Sequence, residues 1–193
     1  MDLSVLFTLF VLNIGLAVVL GAFLGWSRFL DRDDDRLPST TKEVIAALVF
    51  GLMAVVGTYS YSSSGVLYNS RNGAVIAGGL YFGPIAALGS ALIAVLYRSS
   101  WGGVTMLPCL AATVIAAFLL IFIHAKCNGR ISPLKAMAIT IPIEAMHLIM
   151  VGLFSSNGQG WDLVTGSEVG LLMLMSTLVV GAFGLAYTRA RPS

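Results

Sequence analysis

Long apolar runs separated by short polar breaks dominate this chain, which is the pattern of successive membrane-crossing helices. The first run covers residues 4–27 and closes at Gly25-Trp26-Ser27-Arg28, where a tryptophan and a snorkelling arginine suit a membrane edge. It lacks a basic segment before it and is too long for a cleaved leader, so it is read as a span that stays. The polar connection DRDDDRLPSTTK follows. Its run Asp33 to Asp35 is read as a solvated face, with a cation site as the weaker alternative because no acceptor pattern continues around it. Thr40 or Thr41 can cap the next helix, with Glu43 in its first turn at the favourable end of the dipole, and that helix runs to about Tyr59. The segment TYSYSSSGVLYNSR, residues 58–71, is polar and suits a loop at headgroup level.

The stretch from Asn69 to Arg98 organises the rest. Residues 72–98 would make a helix of roughly 40 Å, too long for a ~30 Å hydrocarbon core unless tilted. Gly78, Gly79, Gly83 and Pro84 fall where the middle turns would be, so two shorter helices over 72–81 and 84–98 are predicted, joined at Gly83-Pro84. Small residues repeat at a spacing of four (Gly73/Ala77, Gly79/Gly83, Ala87/Ala91), which lets helix backbones approach closely in lipid. Further spans are predicted over 105–125, with Pro108 in the first turn, over 136–154, interrupted at Pro142, and over 169–188, after a polar loop from Ser155 to Glu168.

Composition narrows the function classes. The 193 residues are 58% hydrophobic and 10% charged, against roughly 25% charged for soluble domains, and the mean hydropathy is +0.91. The fold class expected is all-α, a polytopic transmembrane bundle with one N-terminal span and a six-helix core containing the broken Gly-Pro hairpin. A single transmembrane domain over 1–193 leaves no room for a kinase, nuclease or nucleotide-binding module. The net charge of +2 is spread over short loops and argues against nucleic-acid partners. Cys109 and Cys127 lack CxxC spacing and ligand companions, so neither a zinc site nor a disulfide is expected.

Charge also selects the topology. With the hairpin returning to its own side, nine of the 11 Lys and Arg fall on the cytoplasmic side, and only Arg71 and Arg98 lie outside. A single crossing would instead split them six to five. The positive-inside rule favours the hairpin, with an external N-terminus, a cytoplasmic C-terminus and a plasma-membrane location.

Two arginines at the ends of one external hairpin could converge on an anion, which guanidinium groups hold bidentately. The alternative is that each snorkels to headgroup phosphates. Tyr59, Tyr61, Asn69, Ser70 and Trp101 offer polar company nearby, and Cys109 and Thr113, one turn apart, could face the same pocket, although a buried membrane cysteine is commonly a packing residue. Glu144 and His147 share a helical face and are read either as a coupling or ligand pair or as a hydrogen-bonded structural pair beside Pro142. His124, next to the basic loop, is expected at the interface. No Ser/His/Asp set, HExxH or Walker loop occurs, so neither enzymatic activity nor a cofactor or metal is expected.

The motifs NSRNGAVIAGGLYFGP and ALGSALIAVLYRSSWGGVTMLPC, with EAMHLIMVGLF after them, resemble the LytS-type five-transmembrane receptor domain, the input module of sensor histidine kinases and diguanylate cyclases. The resemblance covers residues 43–188. It implies that Arg71, Arg98 and Cys109, with Asn69 and Thr113 as neighbours, line a site for a small carboxylate such as pyruvate, and that the domain signals to a cytoplasmic output domain. Family members often carry a serine three residues after the cysteine; Ala112 stands there, with Thr113 as a substitute hydroxyl. LytS-type receptors continue into an output domain, whereas this chain ends at Ser193, so an excised sensor module or a stand-alone relative is expected. A looser similarity, in the GxxxGP signature and helix number, is to substrate-binding components of energy-coupling-factor transporters. The alternative function is accordingly a small-solute transporter or transporter component, and the partners expected are a carboxylate, the bilayer, and a homodimer mate or coupling protein.

Overall fold

The computed structural model describes residues 3–30, 36–58, 62–63, 66–67, 70–127, 130–155, 160–165 and 167–191. Asp33 to Asp35, Tyr59, Tyr61 and Asn69 lie outside them. In chain order the elements are α1 (Leu3–Ser27), α2 (Ser39–Thr58), the short antiparallel pair β1 (Ser62–Ser63) and β2 (Val66–Leu67), α3 (Arg71–Phe82), α4 (Pro84–Ser99), α5 (Met106–Cys127), α6 (Pro133–Phe154), α7 (Gly160–Thr165) and α8 (Ser167–Ala190). Helices α1, α2, α5, α6 and α8 are long and apolar enough to cross a membrane. The bundle is therefore the expected one, a first span plus a six-helix core, with α7 as an extra turn inside the segment predicted as a loop.

The core is built around α3. All 12 of its residues are buried, because α2, α4, α5, α6 and α8 surround it. Small side chains make that possible: a Cβ on Gly78 would lie 2.9 Å from the Phe50 ring, and one on Gly79 3.0 Å from Leu120 Cβ. Outward-facing Val19, Phe23, Leu52, Leu92, Phe118 and Phe122 are exposed, as apolar side chains are when lipid is the solvent.

The predicted hairpin is present and returns to the end it started from. Gly83 joins α3 to α4 at φ +117°, a conformation open to glycine and strained for other residues. Proline opens α4, where its missing N–H has no helical partner to lose. Glu43 was expected to serve the start of its own helix. Instead its Oε2 accepts a hydrogen bond from Ile85 N at 2.9 Å, so the carboxylate sits at the positive N-terminal end of α4 and locks the hairpin tip to α2. The reason is steric as well as electrostatic: without a Cβ, Gly83 leaves the space that the Glu43 carboxylate occupies.

Two other expectations are corrected. His124 is buried rather than interfacial, its Nδ1 3.0 Å from the Leu80 carbonyl near the end of α3. Helix α6 runs unbroken through Pro142, since flanking turns and neighbouring helices hold a membrane helix across one missing N–H. Beside this end of the bundle, Phe50, Tyr81, Phe82, Phe183 and Tyr187 form a continuous aromatic cluster with ring centroids 5.1–6.1 Å apart. It joins the C-terminal end of α3 to the last turns of α8. Helix α1 packs chiefly on α8, where Gly21 and Gly25 admit the Phe183 and Tyr187 backbone.

Candidate functional site

At the opposite end of α3 from the aromatic cluster, the first helical residue is Arg71, 0% exposed. It is brought there by a short link: Ser70 N donates to the Gly57 carbonyl at 3.3 Å, and Ser70 Oγ donates to Asn13 Oδ1 at 2.8 Å. Gly57 has no side chain to obstruct, and a Cβ there would lie 3.1 Å from Arg71 N. The side chain of the N-cap Ser70 makes no capping hydrogen bond to α3, so the positive end of the helix dipole adds to the positive charge of the guanidinium.

Arg71 Nη2 donates to Thr113 Oγ1 at 3.3 Å, while its Nε and Nη1 are buried without a hydrogen-bond partner among the described residues. Thr113 in turn faces the Cys109 carbonyl at 2.9 Å and Asn72 Oδ1 at 3.2 Å. Asn72 Nδ2 lies 3.4 Å from Glu144 Oε2 and 2.9 Å from His147 Nδ1. His147 closes the group, with Nδ1 3.3 Å from Glu144 Oε2 and Nε2 3.2 Å from Cys109 Sγ. Thus α3, α5 and α6 supply one connected buried cluster.

Arg98, also 0% exposed, is fastened by its own turn. Nη1 donates to the Gly102 carbonyl at 2.6 Å and Nη2 to Thr105 Oγ1 at 3.3 Å, leaving Nε without a partner among the described residues. Both arginines are interior groups, so the snorkelling alternative does not describe them. Ser70 turns to α1 instead of the cluster, and Trp101 is exposed, edge-on to Tyr97.

Glu144 and His147, read from sequence as a separate pair, share this cluster with Arg71, Cys109 and Thr113. Asn72 and Thr105 escaped the sequence reading. The available signals were a polar side chain directly after Arg71 in a helix of otherwise small and apolar residues, and a hydroxyl one turn before Cys109. Among the described residues the Glu144 carboxylate is bonded to Asn72 and His147 and to neither arginine, and its Oε1 has no partner. Among the described residues no group of His, Cys, Asp and Glu is arranged to hold a metal ion; Cys109 and Glu144 are bridged through the imidazole of His147 and do not converge on one point.

Residues 25–189 match the family model described as 5TMR of 5TMR-LYT. The chain belongs to that family. It is 30% identical over 149 residues to the sensor histidine kinase YpdA of Escherichia coli K12, covering 72% of this chain and 25% of that protein. Against the sensor protein LytS of Bacillus subtilis it is 24% identical over 184 residues, covering 84% and 31%. Against the sensor histidine kinase BtsS of Escherichia coli K12 it is 25% identical over 123 residues, covering 60% and 21%. The chain thus spans under a third of the length of these relatives, and no solved structure matches it.

Proposed function

We propose that this chain is the ligand-sensing module of a membrane receptor, and that it binds a small carboxylate, pyruvate-like in size, between Arg71 and Arg98. The observation that carries the reading is Arg71, wholly buried with two of its three nitrogens unpaired among the described residues. An unmatched buried cation is unfavourable by several kcal/mol, and an anion that accepts from it relieves that penalty while gaining charge-assisted hydrogen bonds. The positive end of the α3 dipole and the Thr113 hydroxyl both favour the same class of ligand. A small carboxylate suits a site hemmed in by Cys109, Asn72 and Thr113 better than a bulky phosphate ester.

The names of the relatives, sensor proteins and sensor histidine kinases, support a receptor in the plasma membrane whose occupancy is passed to an output domain. The positive-inside rule supports a cluster in the external half of the bilayer and a cytoplasmic C-terminus of α8. Signalling then requires a ligand that binds two bundle arrangements with different affinity. Calorimetric titration of the purified protein with acetate, propionate, pyruvate and succinate tests the site. One of them is expected to bind wild type, and Arg71→Ala and Arg98→Ala to weaken it by at least ~10-fold, about 1.4 kcal/mol. Equal binding by wild type and both variants would remove Arg71 and Arg98 from the site.

A further inference from the structure

Three side chains in the cluster stand in an order that carboxylate binding alone does not use. Glu144 Oε2 lies 3.3 Å from His147 Nδ1, and His147 Nε2 lies 3.2 Å from Cys109 Sγ. This is an orienting acid, a base and a nucleophile in line, the arrangement by which a thiol is activated. Glu144 Oε2 at 3.3 Å accepts from Nδ1 when that nitrogen carries the hydrogen, and the Asn72 amide nitrogen at 2.9 Å donates to Nδ1 when it does not, so the ring has a partner in either tautomer. A hydrogen on Nδ1 leaves Nε2 to accept from the thiol, and a hydrogen on Nε2 is donated to the sulfur, so both tautomers keep Cys109 and His147 in one hydrogen bond. Arg71 and Cys109 meet at Thr113, whose Oγ1 accepts from Arg71 Nη2 at 3.3 Å and lies 2.9 Å from the Cys109 carbonyl. A carboxylate held on Arg71 is thereby on the side of the cluster that carries Cys109.

We propose that Cys109 is a reversible covalent anchor that adds to the C2 carbonyl of a 2-oxo acid held on Arg71, with His147 carrying the proton and Glu144 and Asn72 positioning the imidazole. The proposal rests on the carboxylate reading. In the step, which starts from the tautomer with its hydrogen on Nδ1 facing Glu144, the thiol hydrogen passes to His147 Nε2 as Sγ forms a bond to C2. The C2–O π pair moves onto the oxygen, which takes the proton back from Nε2. The product is a thiohemiketal: S–H has added across C=O, nothing is oxidised or reduced, and no group departs. Because a 2-oxo acid has no leaving group at C2, this nucleophile–base line captures and releases its ligand without turnover. Carboxylates without a carbonyl are held by the arginines alone, which makes Cys109 the residue that tells a 2-oxo acid from its reduced or deoxy counterparts.

The test uses the full chain in nanodiscs with carbon-13 NMR of pyruvate labelled at C2. Bound pyruvate is expected to show a tetrahedral C2 resonance on wild type and a trigonal one on Cys109→Ala. The ratio of pyruvate to propionate affinity should fall by at least ~10-fold in that variant, and His147→Gln should slow pyruvate association relative to propionate association. A trigonal C2 on wild type, with pyruvate bound, overturns covalent capture and leaves the carboxylate site standing. If neither pyruvate nor propionate binds wild type, the carboxylate reading itself fails and this one with it.

Discussion

A guanidinium group buried in a membrane bundle without its full set of acceptors is held there by the packing of others, at a free energy that a suitable partner lowers. Among the described residues, Arg71 lacks acceptors at two of its nitrogens and Arg98 at Nε alone, because the Gly102 carbonyl and Thr105 hydroxyl each accept from one terminal nitrogen of Arg98. The two arginines should therefore respond differently to substitution. Arg98→Ala is expected to loosen the turn after α4 and lower thermal stability as well as affinity, since it strands a carbonyl and a hydroxyl; differential scanning fluorimetry in detergent reads the first effect and calorimetry the second. Thr113→Val removes the hydroxyl between Arg71 and Asn72 and should weaken carboxylate binding by about 1 kcal/mol with little change in fold, because the shape of the side chain is kept. The two arginines and Cys109 are visible in the sequence as improbable residues for their surroundings. Asn72 is not, because an asparagine in the first turn of a helix has ordinary local uses and only the approach of α6 to α3 gives it two partners on Glu144 and His147.

The α3–α4 hairpin carries the cluster at its open end and depends on its tip. Gly83 combines φ +117° with a Glu43 carboxylate that a Cβ would meet at 2.8 Å. Gly83→Ala should accordingly destabilise the protein by about 1–3 kcal/mol, measured by denaturant titration in detergent, while Ala87→Gly on the same helix lacks the positive φ and the clash with Glu43. A loss for Gly83→Ala below that of Ala87→Gly would contradict the role given to the tip. The hairpin, its break and its two lengths were legible from chain length against membrane thickness and from the Gly-Pro step. The partner of Glu43 was not, because a carboxylate early in α2 reads as serving its own helix until the fold brings the start of α4 beside it. The continuity of α6 through Pro142 escaped for a related reason: local propensity ends a helix at proline, and tertiary support restores it.

Across the whole molecule α3 joins two ends, with Arg71 at one and the aromatic cluster on α8 at the other. A small shift of α3 on ligand binding would reach the C-terminal turns of α8 through Phe183 and Tyr187, which stack with ring centroids 5.7 Å apart. Phe183→Leu is expected to keep carboxylate affinity within a few-fold and to reduce the ligand-dependent change of a spin label at Thr188; an undiminished change would take the aromatic cluster out of the route. The bundle as a whole was legible because lipid forces long apolar runs with few exceptions, whereas the joining of Glu144 and His147 to Asn72 and Cys109 rests on contacts between residues 72 and 38 apart in the chain. If Arg71 is a buried charge whose missing acceptors an anion supplies, thermal unfolding of wild type and Arg71→Met, each with and without pyruvate, will show it. Methionine fills the space without the charge, so the unliganded variant should melt at or above wild type, and pyruvate should raise the melting temperature of wild type alone. A variant that melts well below wild type and is still stabilised equally by pyruvate would contradict that role of Arg71.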